Sequence, residues 1–127
     1  MILSFKPQFV QPILNGSKIH SIRLDPHCRW KSGMKIHMAT GVRTKNYNCF
    51  LVEKCKGVQD VEMRIVYRTI AVRIDGYHLA PSQLIRFANR DGFESYKDFH
   101  NWFMPLIEAS PDGVYKAKII HWTNLRY

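Results

Sequence analysis

The stretch Ile13-Leu14-Asn15-Gly16-Ser17-Lys18-Ile19-His20-Ser21-Ile22-Arg23 brings a lysine, a hydroxyl and an arginine close together near the start of the chain. Arg23 offers a fork of donors suited to a phosphate or carboxylate, Lys18 a cation or general base, and Ser21 a hydroxyl able to bind or attack. From Ile19 onward apolar and polar residues alternate, which predicts a strand. Ser21 and Arg23 then share one face, two residues apart, with His20 and Ile22 on the other. Lys18 opposes the pair in a regular strand and joins it only from the turn at Gly16. The same residues also make an ordinary basic strand whose Ser21 and Arg23 meet solvent and a nearby acid such as Asp25. Spacing alone leaves both readings open.

Charge favours an anionic partner. The 127 residues hold 19 Lys and Arg against 10 Asp and Glu, a formal charge of +9. Residues 1–52 hold eight basic residues against Asp25 alone, a net of +7, and the other 75 residues net only +2. A field of one sign over half of a small domain attracts polyanions and speeds their encounter. Within that half, Arg29, Lys31, Lys35, Arg43 and Lys45 lie near Trp30 and Tyr47. Such a mixture supplies cations for phosphates and flat rings for bases, so the expected partner is RNA or a nucleoside or nucleotide.

The three cysteines, Cys28, Cys49 and Cys55, form no Cys-x-x-Cys pair, which argues against a disulfide framework or a zinc ribbon and favours a reducing cytoplasm. The six histidines are scattered, with no close pair on one helix face, so neither a metal nor a cofactor is expected. No signal peptide and no apolar run near the roughly 18 residues of a membrane span is present, so a soluble intracellular protein without membrane contact is expected.

Several short elements position these residues. The apolar run over residues 1–5 predicts a short strand before Pro7, which suits the first turn of a helix running to Asn15-Gly16. Alternation predicts strands at 19–24, 34–39 and 47–56, and a stretch at 62–74 that holds either two strands or one bent strand. Ala80-Pro81-Ser82 opens a second helix ending at Asp91-Gly92. Ser95 and Asp98 resemble a capping box for a third, with Tyr96, Phe99, Trp102, Phe103 and Leu106 as its buried stripe. Residues 114–122 close the chain as a strand. The prediction is one α+β domain over residues 1–127, with about six strands and three helices. Short strands in this number suggest a small closed or nearly closed barrel with helices at its side or ends.

Four stretches, in order, carry a family resemblance: Ile13 to Lys18 with Ser21 and Arg23; Trp30-Lys31-Ser32-Gly33-Met34; Ala88-Asn89-Arg90-Asp91-Gly92-Phe93; and Ile119-Ile120-His121-Trp122. They are similar to the Gly-x-Lys and Thr-x-Arg signature, the Gly-Asp turn, the Ala-x-x-(Glu/Asp)-Gly-Phe segment and the closing strand of ASCH domains, small barrels related to the PUA group of RNA-binding domains. The resemblance implies a PUA-like barrel and a ligand pocket around Lys18, Ser21, Arg23 and Asp91. In one enzymatic branch, similar to amidohydrolases acting on acetylated cytidine, the positions matching Lys18, Ser21 and Asp91 are catalytic. There the resemblance implies Ser21 as nucleophile, Lys18 as its base and Asp91 as the group that orients Lys18 or holds a nucleobase amine.

The departures are Ser21 for Thr, Met34 for Asp, and Asp91 for Glu, one methylene shorter. The implied roles conflict, because a close Asp91 carboxylate favours the charged, non-basic form of Lys18. Read without the family, Asp91 is a helix-end residue beside Gly92, where Asp is common for local hydrogen-bonding reasons. The expected function is therefore an RNA- or nucleotide-binding domain. The alternative is a hydrolase, either an amidohydrolase on an acylated nucleoside or a ribonuclease, and a protein-interaction barrel is third.

Overall fold

In the computed structural model, which describes residues 1–127, every predicted element is present, but the strands are more numerous and more finely divided. In chain order these are β1 (Ile2–Ser4), α1 (Val10–Leu14, entered through a 3-10 turn at Pro7–Phe9), β2 (His20–Arg23), β3 (Lys35–Thr40), β4 (Asn48–Lys54), β5 (Gly57–Val66), β6 (Thr69–Ile74), β7 (Tyr77–His78), α2 (Pro81–Arg90), α3 (Tyr96–Glu108) and β8 (Val114–His121). A three-stranded sheet has the order β1-β3-β4, with β1 parallel to β3. A five-stranded antiparallel sheet has the order β2-β8-β5-β6-β7. The class is mixed α+β, as expected. The ladders do not join the two sheets into one closed surface.

Two hairpin turns account for the additional strands. Val66 pairs with Thr69 across Tyr67 and Arg68, whose φ values of 49° and 64° are both left-handed. That is the twist a two-residue hairpin requires, reached here without Gly or Asn. Asp75 and Gly76 repeat the geometry between β6 and β7 at φ 48° and 87°. β5 also begins earlier than predicted, at Gly57, because β8 pairs with it from Gly57 to Arg64.

One cluster of 25 buried residues forms the core, and α3 packs on β5, β6 and β8 as well as on α2. The Ser95 hydroxyl accepts the Asp98 N–H at 3.2 Å, the cap expected at the start of α3. Of the predicted stripe, Phe99 and Phe103 are buried, whereas Tyr96 and Trp102 are half-buried and Leu106 is exposed. Trp102 and Leu106 instead form part of a cleft wall. The end of α2 is sharply defined. Gly92 N–H reaches Asn89 O at 3.0 Å and Phe93 N–H reaches Ala88 O at 3.1 Å, the paired bonds that close a helix through a left-handed glycine. The Ile19 N–H then takes the Arg90 carbonyl at 2.9 Å and ties the approach to β2 to this helix end.

Candidate functional site

Lys18 lies in the turn between α1 and β2, its own N–H held by Pro12 O at 2.9 Å. Its side chain crosses the end of α2 and is 3% exposed. Nζ donates to His20 O at 2.9 Å, to Asp91 O at 2.5 Å and to Asp91 Oδ1 at 3.3 Å. Three acceptors match the three protons of an ammonium, and two of them are main-chain carbonyls. The one from Asp91, the C-terminal cap of α2, sits where a helix favours a cation. The rings of Phe9 and Phe5 lie 5.0 and 5.7 Å from Nζ. Burial lowers the Lys18 pKa from its ordinary 10.5, and the Asp91 charge opposes this. Gly92, at φ 98°, makes room for the stem: a Cβ there would meet Lys18 Cδ at 2.8 Å.

Asp91 Oδ1 has a second partner, His20 Nδ1 at 3.1 Å, and His20 Nε2 lies 2.6 Å from the Tyr127 hydroxyl. Burial pushes the His20 pKa below 6.5 and the Tyr127 pKa up to about 12, so a neutral imidazole meets a protonated phenol. The partners then assign the tautomer: Nδ1–H donates to the carboxylate and Nε2 accepts from the phenol. Tyr127 is clasped in turn by Gln59, which donates to its carbonyl at 3.0 Å and accepts its N–H at 3.1 Å. His121 Nε2 adds a contact to Gln59 Oε1 at 3.0 Å. Motif and spacing did not single out His20, Gln59, His121 or Tyr127 as site residues. The one signal available was the placement of His20 on the strand face opposite Ser21.

The other face of β2 opens onto a cleft of about 1120 Å³ that Lys18, Ser21, Arg23 and Asp91 all line. Arg23 Nε donates to Ser21 Oγ at 3.0 Å and Nη2 to Ser4 O at 2.5 Å, with the guanidinium 4.9 Å from the Phe5 ring. Two of its five N–H groups are thus engaged, and the other three have no protein partner. No hydrogen bond joins Ser21 to Lys18, so the four residues form two pairs, Lys18 with Asp91 and Arg23 with Ser21. Phe5, Phe9, Phe93, Trp102 and Tyr115 contribute aromatic surface to the walls. The charged lining residues are Lys6, Lys18, Arg23 and Arg43 against Asp91 alone, whose carboxylate already faces Lys18.

The basic residues expected to form one nucleic-acid surface are divided. Arg43 lines the cleft together with Tyr47, and Lys45 is exposed in the same loop. Arg29 is exposed in a neighbouring groove, while Lys31 and Lys35 are exposed outside both. Trp30 is no stacking platform: it is 8% exposed and belongs to the core. The Asp25 carboxylate accepts the N–H groups of Trp30 at 2.9 Å and Arg29 at 2.8 Å, which draws the ring inward. Burial of Asp25 works to raise its pKa, but these two bonds and nearby cations bring it below the ordinary value. Asp25 is therefore bound to its own loop and does not pair with Arg23.

No group of three or more His, Cys, Asp or Glu residues is placed to hold a metal ion, and no helix is long and apolar enough to cross a membrane. Comparison with known proteins gives no match, whether to a family model, a curated protein sequence or a solved structure.

Proposed function

We propose that the chain is an RNA- or nucleotide-binding domain whose ligand occupies the cleft beside β2. More particularly, we read it as a domain of the ASCH type with a PUA-like arrangement. The observation that carries the binding reading is Arg23. Its guanidinium is pinned by Ser21 and Ser4 and keeps three unpartnered N–H groups in a cleft with an excess of cations. A pre-oriented guanidinium is suited to bidentate recognition of phosphate, and aromatic walls suit a base. The four motif stretches and the packing of both sheets around one core support the finer assignment. Three free cysteines are consistent with the cytoplasm.

Hydrolysis is the second reading, supported by the common cleft of Lys18, Ser21 and Asp91. In that mechanism Ser21 Oγ attacks the acyl carbon of an acylated nucleoside, and Lys18 takes the hydroxyl proton and passes it to the nucleoside amine as the C–N bond breaks. Water then hydrolyses the acyl-serine to release the carboxylic acid and restore the hydroxyl. The observed bonding disfavours it, because a serine needs an adjacent base. Lys18 directs all three protons to other acceptors, and the Ser21 oxygen instead holds Arg23.

Titration with single-stranded RNA between about 50 and 200 mM salt tests the binding reading, since affinity falls with the number of phosphates neutralised. A steep decline is expected. A flat response, or no binding at low salt, contradicts it.

A further inference from the structure

Beside the cleft lies a second groove of about 570 Å³, and Ile2 and Leu24 line both. These residues are 51% and 63% exposed, so two large apolar side chains stand on the ridge between the grooves. Arg23 lies on the cleft side of the ridge. Immediately after Leu24 the chain turns through Asp25, Pro26, His27 and Arg29, which line the far groove.

This turn is fixed at its base. Asp25 accepts two main-chain N–H groups through its carboxylate and the Cys28 N–H through its carbonyl at 3.1 Å, and Trp30 anchors the loop in the core. Cys28 adopts a left-handed φ of 51° to complete it. Arg29 therefore projects an exposed cation from a held backbone, so that only its side chain remains to be ordered when an anion binds. Asp25, the groove's one carboxylate, is 7% exposed and directs its oxygens to the loop's own N–H groups.

We infer that the ridge and second groove form a further subsite for single-stranded nucleic acid, so that the ligand is an oligonucleotide and not a lone nucleotide. The inference rests on the cleft reading above. With one nucleotide in the cleft, the strand crosses Ile2 and Leu24, whose apolar surface receives the next sugar and base, and Arg29 meets the phosphate beyond. The ridge thus has a cationic residue on each side and an apolar crest between. This alternation of charge and apolar surface complements the alternation of phosphates and bases along a single strand.

The test compares uridine 5′-monophosphate with a four-residue oligouridylate, by calorimetric titration at low salt, for the wild type, Arg29→Ala and Leu24→Ser. Both substituted side chains are exposed, so the variants retain the fold. The wild type should bind the oligomer roughly tenfold or more tightly than the monophosphate, the scale of one charge-assisted contact. Arg29→Ala should lower that ratio severalfold and reduce the salt slope for the oligomer by about one. Leu24→Ser should lower the ratio less. Equal affinity of the wild type for both ligands, an unchanged ratio in Arg29→Ala, or displacement of the oligomer by polyglutamate as readily as by RNA would overturn the second subsite while leaving the cleft reading in place. Binding of neither ligand would overturn both.

Discussion

His20 and Ser21 are adjacent on β2 and 0% and 4% exposed, yet their surroundings are opposite in kind. On the His20 face the Lys18 ammonium, both His20 ring nitrogens and the Tyr127 hydroxyl have partners inside the protein, and His121 Nδ1 alone is buried without one. On the Ser21 face the Arg23 guanidinium is anchored but only partly engaged. Burial therefore does not distinguish the two faces, whereas the engagement of their cations does: the Lys18 ammonium has three acceptors, and three Arg23 N–H groups have none. Lys18 is instructive because it lines the cleft but belongs energetically to the interior, as a cation closing the end of α2. Unpairing it should disturb folding before it disturbs recognition.

The comparison breaks most visibly at Asp91. Asp91→Ala leaves the Lys18 ammonium buried with two carbonyl partners and the His20 Nδ1–H without an acceptor. Removing one member of a buried ion pair typically costs about 3–5 kcal/mol, which urea denaturation should read as a large fall in midpoint. An unchanged midpoint would place Asp91 with the open face of β2 instead.

Acid should act on the same interior face. The pKa values of His20 and His121 in the folded protein lie below 6.5, that of His121 at about 3, chiefly through burial. As pH falls below 6.5 the unfolded chain takes up protons that the folded chain refuses, so the folded state loses stability toward the folded-state pKa. For His121 this window runs from 6.5 down to about 3. Thermal unfolding should occur at lower temperature at pH 5 than at pH 7, and equal midpoints would contradict the neutral assignment of these rings.

A smaller effect is expected of Tyr127→Phe, which removes the phenol donor to His20 but keeps the ring against Phe87 and His121. The loss should be on the order of one hydrogen bond, about 0.5–1.5 kcal/mol in denaturant unfolding. RNA affinity should not change. A variant that unfolds normally but binds poorly would show that the two faces of β2 are coupled.

Much of this contrast was legible in the chain because it is local. Alternation over residues 19–24 placed Ser21 and Arg23 together and His20 opposite, and Asn15-Gly16 and Asp91-Gly92 marked both helix ends beside Lys18. Proximity of Lys18 to Asp91 came only through the family resemblance, since 73 positions separate them. Tyr127, the second partner of His20, lies 107 positions away and carried no local signal. Likewise, the Tyr67-Arg68 turn carries no local signal, because residues other than glycine and asparagine seldom adopt left-handed φ. Trp30 was misread for a related reason. An aromatic ring among cations looks like a stacking surface until the Asp25 hydrogen bonds that draw it inward are known.

The most direct test of the central claim is the ranking of Arg23→Ala and Ser21→Ala in calorimetric titrations with single-stranded RNA at low salt, with acetylcytidine turnover followed on the same samples. If the open face of β2 binds an anion, Arg23→Ala loses the most affinity, about 1.5–3 kcal/mol, as expected for bonds to a charged group. Ser21→Ala then loses about 0.5–1.5 kcal/mol through the freed guanidinium, and no sample releases acetate. Wild-type turnover that collapses in Ser21→Ala while RNA affinity is retained would contradict the account and make Ser21 a nucleophile.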